Sequence, residues 1–89
     1  MPLRRTAPPP WVIDRRRLLG QRIAHHRRTA GLSQEELGDR IGVERRTIQR
    51  YEAGSRDPRY TDLLLVAAVL DVDLADLVRG EDPPARVSP

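Results

Sequence analysis

Residues 44–54 read ERRTIQRYEAG, and LSQEEL stands one element earlier at 32–37. Ile48 and Tyr51, together with Val43, fall on one side of a short helix, which leaves Arg45, Arg46, Gln49 and Arg50 to fan outward. A guanidinium is a planar fork of donors that fits phosphate oxygens and the paired acceptors of a guanine edge. The chemistry on offer is hydrogen-bonded recognition of a nucleic acid rather than the breaking of a bond. Catalysis finds no support elsewhere: the chain has no cysteine, no glycine-rich phosphate loop, and no serine placed as a nucleophile beside a base. It does not read as an enzyme.

Charge points the same way. Residues 1–60 hold 14 Arg against 7 Asp and Glu, residues 61–89 hold 2 against 6, and all 16 basic residues are arginine. Exclusive use of arginine also follows from a GC-rich coding sequence. The segregation is more telling, because it sets a positive field on one part of a small domain, as a polyanionic ligand requires. Eighty-nine residues support only one core. Without cysteine there are no disulfides or thiolate metal sites. No apolar run approaches the ~20 residues of a bilayer span, so a cytoplasmic chain without membrane contact is expected. His25 and His26 do not make a metal site, because neighbours on a helix point about 100° apart. His26 is expected at the core edge and His25 in solvent. Asp71, Asp73 and Asp76 lack the ligand pattern of a cation loop. No cofactor and no metal are expected.

The elements that must position the arginines are legible from their boundaries. Four helix starts share an apolar residue, a capping position, and an apolar residue four places after the cap: Ile13-Asp14 with Leu18, Leu32-Ser33 with Leu37, Val43-Glu44 with Ile48, and Val72-Asp73 with Leu77. This repetition predicts helices and no strand. Ser33 with Glu36 completes a reciprocal capping box, whereas Glu44 is a poor cap whose charge still suits a helix start. The first helix is expected over about Arg15 to Ala30, with Leu19, Ile23 and Ala30 inward, stopped by Gly31. The second covers Gln34 to Ile41, Gly42 turns the chain, and the third covers Arg45 to Ala53 before Gly54. A fourth starts between Pro58 and Thr61 and runs to Leu70, and a short fifth follows Asp73 and ends near Gly80. Residues 1–13 and 81–89, rich in proline, are expected as a flexible arm and a flexible tail or linker flanking a domain over 14–80.

Two short helices joined by a glycine turn, the second with an arginine-rich outer face, form a helix-turn-helix arrangement. The stretch LSQEELGDRIGVERRTIQRYEAGSRDP resembles the Cro/CI-type (XRE) helix-turn-helix family of lambda-repressor-like domains. The likeness continues through LLLVAAVLDVDLADLV and covers most of residues 18–79. It implies an all-α, compact five-helix bundle that binds operator DNA as a homodimer and regulates transcription, as a repressor more readily than an activator. Carried over by position, it implies base reading by Arg45, Arg46, Arg50 and Gln49, and Glu44 at the head of that row is expected to read a base with them. It implies contacts to the DNA backbone from Ser33, Gln34, Thr47, Arg56 and Arg59, and a structural ion pair between Arg27 and Glu52.

Three positions depart from the family pattern. Glu44 replaces a serine or threonine cap, and its charge opposes phosphate unless it accepts from a cytosine amine. Gly38 replaces an alanine, which implies a closer approach of the second and third helices or a looser joint. Leu65 and Ala68 replace residues that are commonly charged, giving the fourth helix a second apolar stripe through Leu65, Val69 and Val72. Either Trp11, Val12 and Ile13 fold back over that stripe, or it is a dimer face. An antitoxin or adaptor that grips a protein partner through the fourth helix is the rival to a DNA-binding regulator. A third possibility is the N-terminal domain of a longer regulator.

Overall fold

A computed structural model describes residues 7–79, so residues 1–6 of the expected arm and the whole expected tail lie outside the described residues. Five helices follow one another: α1 (Pro10–Thr29), α2 (Gln34–Ile41), α3 (Arg45–Ala53), α4 (Tyr60–Leu70) and α5 (Leu74–Val78). No strand occurs among the described residues. One core serves all five. Ile23 of α1, Leu37 of α2, Ile48 and Tyr51 of α3, Val66 of α4 and Leu77 of α5 are each at most 2% exposed. The all-α bundle is as expected, and no helix among the described residues is long and apolar enough to cross a membrane.

The start of α1 is not where the Ile13-Asp14 pattern placed it. The helix begins at Pro10, and the carbonyl of Pro9 accepts from the amides of Val12 at 3.0 Å and Ile13 at 3.3 Å. Proline suits the first helical turn, where its missing N–H has no intrahelical partner to lose and its φ is already helical. Ile13, Asp14 and Leu18 are thus interior positions whose spacing imitates a helix start. Trp11, Val12 and Ile13 are helical, and Val12 faces a groove with Leu19, Asp57 and Val78. At the other end Ala30 is an exposed cap rather than a core residue, and Gly31 takes the left-handed conformation at φ 74°.

The boundaries of α2 and α3 fall where the sequence placed them. Ser33 Oγ accepts from the Glu36 amide, and Glu36 Oε1 accepts from the Ser33 amide, both at 3.0 Å. The bond from the Ser33 backbone holds the Glu36 carboxyl below its ordinary range. Gly42 at φ 80° and Gly54 at φ 73° close the two helices in the left-handed region that favours glycine. Asp73 stands at the start of α5 without a side-chain cap bond.

A buried polar contact ties α3 to α4. Tyr51 Oη donates to Asp62 Oδ2 at 2.5 Å, and Arg59 Nε lies 3.7 Å from the same oxygen. Burial, then the bond to Asp62, pushes the Tyr51 hydroxyl above its ordinary pKa. A folded-state pKa above the unfolded one means this contribution is complete below the unfolded tyrosine value and is lost as pH rises through the folded one. Tyr51→Phe is expected to cost about 1.5–3 kcal/mol near neutrality, because a buried carboxyl oxygen loses its donor. Urea midpoints from about pH 8 to about pH 11 should fall for the wild type and stay flatter for the variant. Equal slopes would show that Tyr51 titrates alike in both states.

Candidate nucleic-acid interface

The position of α3 is fixed by the side it buries. Ile48 and Tyr51 anchor it, and its two flanks are held by close backbone approaches at glycine. A Cβ on Gly38 of α2 would lie 2.6 Å from the Val43 carbonyl oxygen, so the departure from alanine marks a closer approach, not a looser joint. A Cβ on Gly20 of α1 would lie 2.4 Å from the carbonyl oxygens of both Tyr51 and Glu52. Gly20 had no motif to announce it; a glycine in the interior of a long helix is the only signal it gives.

With that side fixed, Arg45, Arg46, Gln49 and Arg50 stand exposed and Thr47 half-buried. None of these side chains forms a hydrogen bond or ion pair with the rest of the described protein. Their donors are free for a ligand.

The start of α2 lies beside the end of α3, held by a network around Glu52. Arg27 Nε donates to Glu52 Oε2 at 2.6 Å and Arg27 Nη2 to Glu52 Oε1 at 3.0 Å, while Nη1 donates to the Leu32 carbonyl at 2.9 Å. The two side chains are 10% and 7% exposed. The hydrogen bond to Glu52 raises the Arg27 pKa, against the opposing effect of burial. Gln34 Nε2 also donates to Glu52 Oε1, at 2.9 Å. That bond, between residues 18 apart, has no sequence signature. It commits one amide hydrogen of Gln34 and leaves the other, so Gln34 reaches outward from a fixed position. Ser33 Oγ is likewise committed as an acceptor but keeps its O–H.

The loop after α3 is tied to the same corner. The Arg50 carbonyl accepts from the Ser55 amide at 3.0 Å, the Arg56 amide at 3.3 Å and Ser55 Oγ at 3.3 Å. Arg56 is exposed beyond it. Arg59 is 76% exposed in its side chain, though its Nε approaches Asp62. The expected backbone-contact residues Ser33, Gln34 and Arg56 are thereby gathered around the last turn of α3.

The expected dimer stripe is divided. Leu65 is 39% exposed, with Leu64, which sequence reasoning missed, 43% exposed beside it. Val69 and Val72 are instead partly buried against the core. His25 is exposed and His26 half-buried, with ring centroids 5.2 Å apart. Among the described residues no group of three or more His, Asp or Glu side chains is placed to hold a metal.

A helix-turn-helix family model matches residues 23–77. The chain is similar to the Bacillus subtilis protein described as uncharacterized HTH-type transcriptional regulator YqaE, 33% identical over 64 residues. That match spans 72% of this chain and 55% of YqaE, so the chain covers about half of that relative. Among solved structures it resembles the restriction-modification controller protein C.AhdI from Aeromonas hydrophila (TM-score 0.70, 31% identity), covering 73% of this chain and 94% of that one. It also resembles the P22 c2 repressor in complex with a synthetic operator (TM-score 0.68, 28% identity), covering 72% and 97%.

Proposed function

Because the chain belongs to the helix-turn-helix family of the Cro/CI type, we propose that it is a cytoplasmic, sequence-specific double-stranded DNA-binding regulator of transcription, acting as a repressor. It works without a cofactor. The observation that carries this is the two-sided character of α3: Ile48 and Tyr51 are 0% and 2% exposed, and the opposite side is a row of four long, free polar side chains. A helix of that width enters the major groove of B-DNA. Arg45, Arg46, Gln49 and Arg50 read base edges, while Ser33, Gln34, Thr47, Arg56 and Arg59 hold the sugar-phosphate backbone on either side. The operator bound by P22 c2 supports the same mode here.

Two copies bind a roughly palindromic operator, their recognition helices about 34 Å apart. Leu64 and Leu65, exposed on α4 beside Val69 and Val72, offer the apolar face for that contact.

Base readers and phosphate holders should fail differently when mutated. Arg45→Ala and Arg46→Ala are each expected to cost about 1–3 kcal/mol on a selected operator and to relax base preference there. Arg56→Ala should weaken selected and random duplexes alike and reduce the salt slope by about one. Selection from random duplexes followed by titration at several salt concentrations measures both. Equal losses on operator and random DNA for all three variants would refute the base-reading assignment.

A further inference from the structure

Glu44 is the one acidic side chain at the reading end of α3, and no partner in the described protein holds it. It is exposed, at the N-cap of α3 with φ −73° and ψ 153°, and its carboxylate takes no bond from the amides of its own helix. Its backbone only opens the helix ladder: the Glu44 carbonyl accepts from Thr47 N at 2.9 Å and Ile48 N at 3.3 Å. The carboxylate adjoins Arg45 in the chain, yet pairs with neither Arg45 nor Arg46. A shorter serine, threonine or aspartate would accept from the amide of Arg46 or Thr47 and stabilise the helix start. Glutamate contributes no such bond, so its side chain is left for something outside the protein.

A duplex presents mostly repulsion to it. Phosphates are negative, and an ionised carboxylate can only accept hydrogen bonds. In the major groove guanine offers O6 and N7, both acceptors, and thymine offers O4 beside a methyl group. Adenine places the acceptor N7 next to its N6 donor. Cytosine alone presents a donor, N4, with no acceptor of its own beside it. We propose that Glu44 selects cytosine at one position of each half-site by accepting a hydrogen bond from N4, and rejects the other bases by repulsion. This rests on α3 lying in the groove as proposed above. The guanine paired with that cytosine turns O6 and N7 toward the same groove, where the neighbouring Arg45 or Arg46 fork fits them. One C·G pair is then read from both strands by adjacent residues of opposite charge.

Selection from random duplexes with the wild type, Glu44→Ala and Glu44→Gln tests this, with urea midpoints confirming that the variants fold. The wild type should enrich cytosine at one position per half-site about 5- to 100-fold over the other bases. Glu44→Ala should lose that preference at that position alone, and bind random duplexes more tightly because a repulsive charge is gone. Glu44→Gln should move the preference to adenine, whose N6 and N7 match an amide's acceptor and donor. A purely structural role at the helix start would not exchange one base for another. Variants that keep the wild-type cytosine, or that change every position evenly, overturn the Glu44 assignment while leaving groove binding intact. A wild type that enriches no motif overturns the groove-binding mode itself and this assignment with it.

Discussion

Arg27→Ala is expected to lower the unfolding free energy by about 3–5 kcal/mol, and to abolish DNA binding by loosening the bundle rather than by removing a DNA contact. The guanidinium is 8% exposed as a residue and makes three bonds, two to Glu52 and one to the Leu32 carbonyl. Truncation leaves a carboxylate that is 7% exposed with Gln34 as its one remaining donor. An uncompensated buried charge, more than the lost attraction, sets the size of the effect. A small domain has roughly 5–15 kcal/mol in total, so much of the population would unfold at physiological temperature. Urea denaturation of Arg27→Ala, Glu52→Ala and the pair Arg27→Met with Glu52→Leu measures this. The double variant should cost less than the sum of the single ones, because no charge is left stranded. A single variant within about 1 kcal/mol of the wild type would show that the pair is hydrated after all.

How far such arguments could be made from sequence depended on whether the interaction was local. The bounds of α2 and α3 were legible because their signals lie within four residues: the Ser33–Glu36 box, and the left-handed glycines at 42 and 54. The outward row of Arg45, Arg46, Gln49 and Arg50 followed from helical period alone. The same local rule misplaced the start of α1, since Ile13, Asp14 and Leu18 have the spacing of a helix start inside a helix that Pro10 had already begun. Of the non-local contacts the Arg27–Glu52 pair was expected, and only through the family resemblance; the others left no trace. Tyr51 meets Asp62 across a loop, Gln34 meets Glu52 across a helix, and Gly20 meets two carbonyls of a helix some thirty residues on. Amphipathic period gave α4 a second apolar stripe but not its division, because whether Val69 and Val72 reach the core depends on how the other helices pack around α4.

Gly20→Ala tests the contact that sequence hid best. An added Cβ would stand 2.4 Å from the carbonyl oxygens of Tyr51 and Glu52, and 2.8 Å from the Glu52 carbonyl carbon. All three atoms are backbone in the last turn of α3, so no side chain can rotate away and the two helices must separate. Alanine is the better helix former by about 1 kcal/mol, which would stabilise the variant if the site were open. Overpacking against backbone outweighs it, and a net loss of about 3 kcal/mol is expected. For a domain of this size that corresponds to a melting midpoint lower by roughly 12–24 °C. Gly38→Ala meets only one backbone atom closer than 3.5 Å, the Val43 oxygen, and should cost less. The effect of Gly20→Ala should also reach DNA binding in molecules that remain folded. Gly20 and Arg27 are seven residues apart and therefore share a face of α1, both against the end of α3. Moving α3 away at Gly20 strains the Arg27–Glu52 bonds and shifts the arginine row relative to Gln34, which is held by the same carboxylate. A cycle of Gly20→Ala with Arg27→Ala should accordingly be non-additive, the second change costing less once the first is present. Additive losses would mean that glycine spacing and the ion pair hold α3 independently, and an unshifted midpoint would mean that α1 and α3 do not meet backbone to backbone at all.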